Sequence, residues 1–106
     1  MPTFKSIKYE GRSVEFILYE QRWWLFAYEA AYRFKSSQGP HGVYNDAPES
    51  ERRLINCPGR PPAQIVSVRH CLRRLQKSNQ LEHAQFRAWL RAWKTVSGSP
   101  DRSGEA

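Results

Sequence analysis

Seven basic side chains are concentrated between residues 64 and 94, a segment whose only carboxylate is Glu82. Guanidinium groups present planar forks of N–H donors that match phosphates and carboxylates, and ammonium groups act as compact point charges. Cations about one helical turn apart can neutralise several phosphates together and release condensed counterions. The chemistry indicated is binding of a polyanion, by Arg69, Arg73, Arg74, Lys77, Arg87, Arg91 and Lys94.

The distribution of charge supports this interpretation more strongly than the net charge of +7 does. Residues 1–63 hold nine Lys and Arg against seven Asp and Glu, whereas residues 64–94 hold seven against one. A solvated helix face usually interleaves acids with bases, which this segment does not. A one-sided basic excess favours nucleic acid, an anionic membrane surface or an acidic protein as partner.

Other site chemistries are less well supported. Cys57, His70, Cys71 and His83 offer metal-ligand atoms, but their spacing fits no standard zinc arrangement, and Cys71 falls on the apolar side of a predicted helix. The sequence has no GxSxG, HExxH or P-loop pattern. We therefore expect no enzyme activity, no metal and no cofactor.

Aromatic residues beside basic ones could stack on unpaired bases, or could belong to the core. The two stretches concerned are 22–24 and 32–35. Adjacent Trp23 and Trp24 point to opposite faces if they lie in a strand, so one of them is expected to be partly exposed.

The elements that position the basic cluster begin with a predicted β-meander. Runs at 4–9, 13–19 and 23–26 are rich in β-formers, and Gly11 supplies the positive φ of the first turn. A short helix is predicted over 26–34, followed by a loop over 35–48 rich in Ser, Gly, Pro and Asn. Further strands are predicted at 51–57 and 64–66.

Two amphipathic helices follow. Ser67 is a suitable N-cap for a helix reaching about residue 76, and a second helix is predicted over 81–93. Apolar residues recur at helical spacing in both, and the second helix is expected to expose a stripe of His83, Arg87, Arg91 and Lys94. A helix-turn-helix DNA-binding motif is an alternative, although the connection lacks the glycine often found there.

These elements predict one α+β domain over residues 1–96, a small antiparallel sheet packed with a short helix and a C-terminal helix pair. Residues 97–106 have the composition of a disordered polar tail. No apolar run approaches the ~20 residues that span a bilayer, and no signal peptide follows Met1. Membrane-surface attachment is disfavoured because both apolar stripes are needed for the core. We therefore expect a cytoplasmic protein that does not associate with membranes.

The order of these parts resembles the N-terminal domain of the BRO family, found in phage antirepressor-like proteins and large DNA viruses. The first matching stretch is Phe4 with the segment 9–16, YEGRSVEF. The second is WWLFAYEAAYRF at 23–34, and the third is IVSVRHCLRRLQKSNQLEHAQFRAWLRAW at 65–93. The resemblance implies an α+β fold, DNA binding and a regulatory role in phage or prophage biology. Many family members carry a second domain, where this sequence has only a short polar tail.

The sequence thus predicts a DNA-binding, antirepressor-like module that contacts phosphates through the seven basic residues, with Lys35 and His41 as supplementary contacts. The alternative is a small phage inhibitor or interaction protein that uses the same basic face against an acidic surface of a host or repressor protein. Sequence preference, strandedness of the DNA and oligomeric state are left open by the residues.

Overall fold

The computed structural model describes residues 2–56 and 58–96, which form five strands and four α-helices. The strands are β1 (Thr3–Tyr9), β2 (Arg12–Tyr19), β3 (Arg22–Phe26), β4 (Arg52–Ile55) and β5 (Ala63–Ser67). The helices are α1 (Ala27–Phe34), α2 (Gly39–Asp46), α3 (Val68–Gln76) and α4 (Leu81–Val96), and a 3₁₀ turn at Glu49–Glu51 precedes β4. The predicted α+β class with a small antiparallel sheet and a C-terminal helix pair is confirmed. The proposed polar tail, 97–106, lies outside the described residues.

Two tight hairpins build the meander β1–β2–β3. Glu10 and Gly11 both have positive φ, at 51° and 81°, as do Glu20 and Gln21, at 53° and 60°. Two consecutive left-handed residues give a turn whose twist matches that of the flanking strands. The expected positive φ at Gly11 is confirmed, whereas the second turn adopts the same geometry without a glycine.

The sheet order is β1-β2-β3-β5-β4, with every neighbouring pair antiparallel. The last strand in the chain therefore lies between β3 and β4, and α3 begins directly from its end. As a result, the helix that carries three of the predicted arginines starts at an interior strand of the sheet.

The predicted loop at 35–48 is partly wrong, because α2 forms within it. Gly39 and Pro40 stand at the start of this helix, where proline's missing N–H costs nothing. Val43 provides the buried contact of α2 with the core. A short helix with one buried anchor has too weak a periodicity to stand out among turn-forming residues.

All four helices contribute to a core on one face of the sheet, which includes Phe16, Trp23, Leu90 and Trp93. The opposite face carries a second cluster of Ile17, Trp24, Phe26, Ile55 and Ile65. Trp23 and Trp24 do point to opposite faces, but both are buried, so the expectation that one is partly exposed is wrong. Within residues 2–56 and 58–96, no helix is both long and apolar enough to cross a bilayer.

Candidate nucleic-acid interface

The start of α3 is fixed to the sheet by a buried polar network. The Ser67 hydroxyl accepts a hydrogen bond from the backbone N–H of His70 at 2.9 Å, which confirms Ser67 as the N-cap. The same hydroxyl donates to Oε1 of Glu51, and Nη2 of Arg22 donates to that oxygen at 2.8 Å. One buried carboxylate therefore joins β3, the 3₁₀ turn and the first turn of α3.

The Glu51 carboxyl stays ionised in this setting. Burial raises its pKa, but the Ser67 hydrogen bond and the positive charges of Arg22, Arg69 and Arg73 outweigh burial and lower the pKa below the ordinary value. The charge that anchors α3 is thus retained at neutral pH.

Apolar side chains fix the two C-terminal helices against the meander. On α3, Val68, Cys71 and Leu75 are buried. On α4, the ring of Trp93 stacks on Phe16 at 3.6 Å between centroids. Burial raises the pKa of the Cys71 thiol to about 12, as expected for a structural cysteine rather than a reactive one.

Five of the seven predicted site residues line a single cleft of about 360 Å³ between α3 and α4, which we call the α3–α4 cleft. Its remaining described lining is Leu72 and Gln76. These basic side chains, which the sequence places on one shared face of the two helices, converge where the helices meet. These five are Arg69, Arg73, Arg87, Arg91 and Lys94.

The other two predicted residues lie in a second cleft of about 280 Å³ beside α2, which we call the α2–α3 cleft. It is lined by Arg74 and Lys77 together with Arg73, His70 and Asp46. Arg74 is engaged there: its Nη1 donates to Oδ2 of Asp46 at 3.0 Å, and its guanidinium lies 5.0 Å from the Phe34 ring centre. Burial lowers the pKa of His70, and the positive charge of Arg74 lowers it further.

The predicted exposed stripe of α4 is wrong at two positions. His83 is 7% exposed and its Nδ1 is 2.7 Å from the Ser78 hydroxyl, while Lys94 is only 8% exposed although it lines the α3–α4 cleft. Arg91 is exposed and Arg87 is half-buried. Helical spacing alone places a residue on a face of its own helix, but the neighbouring helix and loop decide how much of that face meets water.

Carboxylates are missing from the described lining of the α3–α4 cleft. Glu82, the acid of this segment, instead pairs with Lys35 at the end of α1, and the hydrogen bond from Lys35 lowers its pKa. Among the described residues, Arg69, Arg73, Arg87 and Arg91 take part in no ion pair. Glu51 acts on Arg69 and Arg73 through its charge but forms no ion pair with either of them. The four arginines therefore repel one another, and a bound polyanion would relieve that repulsion.

Neither supplementary residue joins this cluster. Lys35 is held by Glu82, and Nδ1 of His41 is 3.1 Å from the side-chain amide nitrogen of Gln64. Sequence reasoning did not assign Gln76 or Asp46 to the site. Gln76 could have been found, since it follows Arg69 and Arg73 at helical spacing. Asp46 could not, because it reaches Arg74 across 28 positions of sequence.

The metal hypothesis gains no support. Within the described part of the chain, no three His, Cys, Asp or Glu side chains come close enough to hold a metal ion. Cys57, one of the four residues considered, lies outside the described residues.

No family model matches the chain, and neither the curated proteins nor the solved structures give a significant match. The resemblance to the BRO N-terminal domain therefore stays a prediction from the sequence.

Proposed function

We propose that this protein binds DNA through phosphate contacts in the α3–α4 cleft. The observation that carries the proposal is the convergence of five basic side chains on one cleft whose described lining has no carboxylate. Phosphate neutralisation by Lys and Arg supplies most non-specific affinity for DNA, and the four arginines in this concavity suit that purpose.

The rigidity of the support favours the same function. α3 is anchored by Ser67 and Glu51, and α4 by Trp93 on Phe16. Because the helices are held by buried contacts, the backbone positions from which the cations extend are fixed before a ligand arrives. A preorganised site loses less conformational entropy on binding than a flexible one.

The resemblance to the BRO family agrees with this proposal and extends it to a regulatory, antirepressor-like role in the cytosol. The extension rests on the similar stretches within residues 4–16, 23–34 and 65–93.

The test is a titration of labelled duplex DNA and, separately, of labelled single-stranded DNA, each at two salt concentrations. We expect affinity to fall with salt with a log–log slope of about −0.9 for each duplex phosphate neutralised. The double variant Arg73→Ala/Arg91→Ala should make that slope shallower by about 1.8. Both side chains are exposed and unpaired among the described residues, so the fold should survive their removal.

A matched control removes the same charge elsewhere. Lys5→Ala/Lys8→Ala takes two exposed cations from β1 and should leave the slope unchanged. Binding that ignores salt, or that weakens equally in both variants, would contradict a localised phosphate site. No DNA binding at low salt, with recovery of an acidic protein that the cleft variant fails to capture, would favour the protein-interaction alternative instead.

A further inference from the structure

We infer that the α3–α4 and α2–α3 clefts form one continuous track for the sugar–phosphate backbone of a DNA duplex, and that single strands bind it less well. This inference rests on the proposed function and adds the strandedness of the ligand and the length of the contact.

Continuity follows from Arg73, which lines both clefts. Arg69, Arg73 and Lys77 succeed one another at intervals of four residues along α3 and its C-cap. Four residues of α-helix advance about 6 Å, so the three cations form a row that crosses from one cleft to the other. Arg87 and Arg91 form a second row with the same interval on α4.

The preference for a duplex follows from the kinds of side chain in the track. The described lining of the two clefts consists of cations with Leu72, Gln76, His70 and Asp46. It includes no Phe, Tyr or Trp, and its one aromatic ring is the half-buried imidazole of His70. Proteins that hold single strands combine a basic groove with aromatic side chains on which the bases stack. This track offers the charge without the stacking surface.

Aromatic side chains near the track are buried or packed against other side chains. Phe86 and Trp93 are buried in the core, and Trp89 packs against Tyr9 with 4.8 Å between ring centres. The exposed Tyr32 belongs to α1 and does not line either cleft, and the guanidinium of Arg12 lies 4.0 Å above its ring. Bases splayed from a single strand would therefore gain little from the described surface beside the track.

The higher charge density of duplex DNA also favours the duplex as ligand. A duplex presents one phosphate charge per about 1.7 Å of axis and is already ordered, whereas a single strand has a lower charge density and a smaller salt slope per contact, about −0.7 instead of −0.9. A site that works by charge alone should accordingly favour the duplex.

The experiment measures fluorescence anisotropy with one labelled duplex and with the labelled single strand of the same sequence and length, using the full chain. We expect the duplex to bind at least about tenfold more tightly at moderate salt and with a steeper salt dependence. Arg91→Ala and Lys77→Ala remove cations near opposite ends of the track. Each should make the duplex slope shallower by about 0.9, while Lys5→Ala on β1 should change nothing.

Each contrary result has a distinct meaning. Equal or tighter binding of the single strand would overturn the duplex preference while leaving DNA binding in place. An effect of Arg91→Ala without one of Lys77→Ala would show that the contact ends at the α3–α4 cleft, which overturns the continuous track. Failure of both DNA forms to bind would overturn the proposed function itself.

Discussion

On the sheet face opposite the helices, Arg22 and Arg53 lie over the indole ring of Trp24, at 4.7 and 5.3 Å from its centre. Each is also paired with a carboxylate: Arg22 with Glu51 and Arg53 with Glu20, both at 2.8 Å. On α3 and α4, by contrast, Arg69, Arg73, Arg87 and Arg91 have no ion-pair partner among the described residues.

The comparison separates two uses of the same side chain. A guanidinium that is neutralised and stacked on an aromatic ring covers apolar surface and joins distant strands, so it belongs to the fold. The arginines of the α3–α4 cleft have neither a paired carboxylate nor a stacked ring among the residues that the structure describes, so each should contribute less to stability, and its donors remain available to a ligand. Removing an arginine should therefore reduce stability in the first region and DNA affinity in the second.

The largest effect is expected for Glu51→Ala, which tests the structural role of Arg22 and its partners. The variant deprives Ser67 of its acceptor and Arg22 of a buried carboxylate, and breaking a buried charge pair of this kind should destabilise the protein by about 3 kcal/mol. Thermal or urea unfolding measures the loss. A change below about 0.5 kcal/mol, typical of surface substitutions, would show that the network does not anchor α3.

The next largest effect is expected for Arg33→Ala. Arg33 donates from Nε to the buried Glu29 at 2.9 Å, and its guanidinium lies 5.0 Å from the ring centres of Tyr9 and Phe86. Glu29 would keep only the longer contact to Arg12 at 3.6 Å, so we expect a loss of about 2 kcal/mol.

Arg91→Ala serves as the matched control for Arg33→Ala in the same unfolding experiment. An exposed cation that repels its neighbours should change stability by no more than about 0.5 kcal/mol. Equal destabilisation by both variants would contradict the distinction between arginines that are paired and stacked on rings, such as Arg33 on α1, and those of the α3–α4 cleft.

The pH dependence of stability should report on Glu51. Its folded-state pKa lies below the ordinary value of 4.5, so the native state holds the ionised form more strongly than the unfolded state does. The stabilisation from ionised Glu51 is fully present above the pKa that this carboxyl has in the unfolded chain. It is lost as the pH falls through the pKa of Glu51 in the folded protein. Unfolding measured from neutral to acidic pH should therefore show a steeper loss for the natural protein than for Glu51→Gln. If the stability of the two proteins fell equally with pH, the loss in acid would come from other titratable groups.

The smallest effect is expected for Asp46→Asn, which removes the ion pair between α2 and Arg74 of α3. Asp46 neutralises Arg74 at the edge of the α2–α3 cleft, and Asp46→Asn should free that cation for phosphate. We expect duplex affinity to rise severalfold and the salt slope to steepen by about 0.9. Weaker binding would mean that the ion pair positions Arg74 for its role instead of competing with the ligand.

The fold was largely predictable where its signals are local. The hairpin glycine Gly11, the N-cap Ser67 and the apolar spacing of α3 and α4 lie within a few residues of the structure that each one specifies. The helix α2 was not predictable, because Val43 is its only buried residue and neighbouring Gly and Pro favour a turn. For the candidate site, the sequence identifies the seven basic residues, but it does not show that they are divided between two clefts.

By itself, the sequence determined that basic residues dominate 64–94 and that both helices there have an apolar side, because composition and helical periodicity are properties of consecutive residues. Tertiary structure alone decided that five of those residues share a cleft, that Lys94 and His83 are buried, and that Arg74 faces Asp46. Burial and ion pairing depend on partners that come from other elements. β5 lies between β3 and β4 in the sheet, and this arrangement sets where α3 begins against the rest of the molecule.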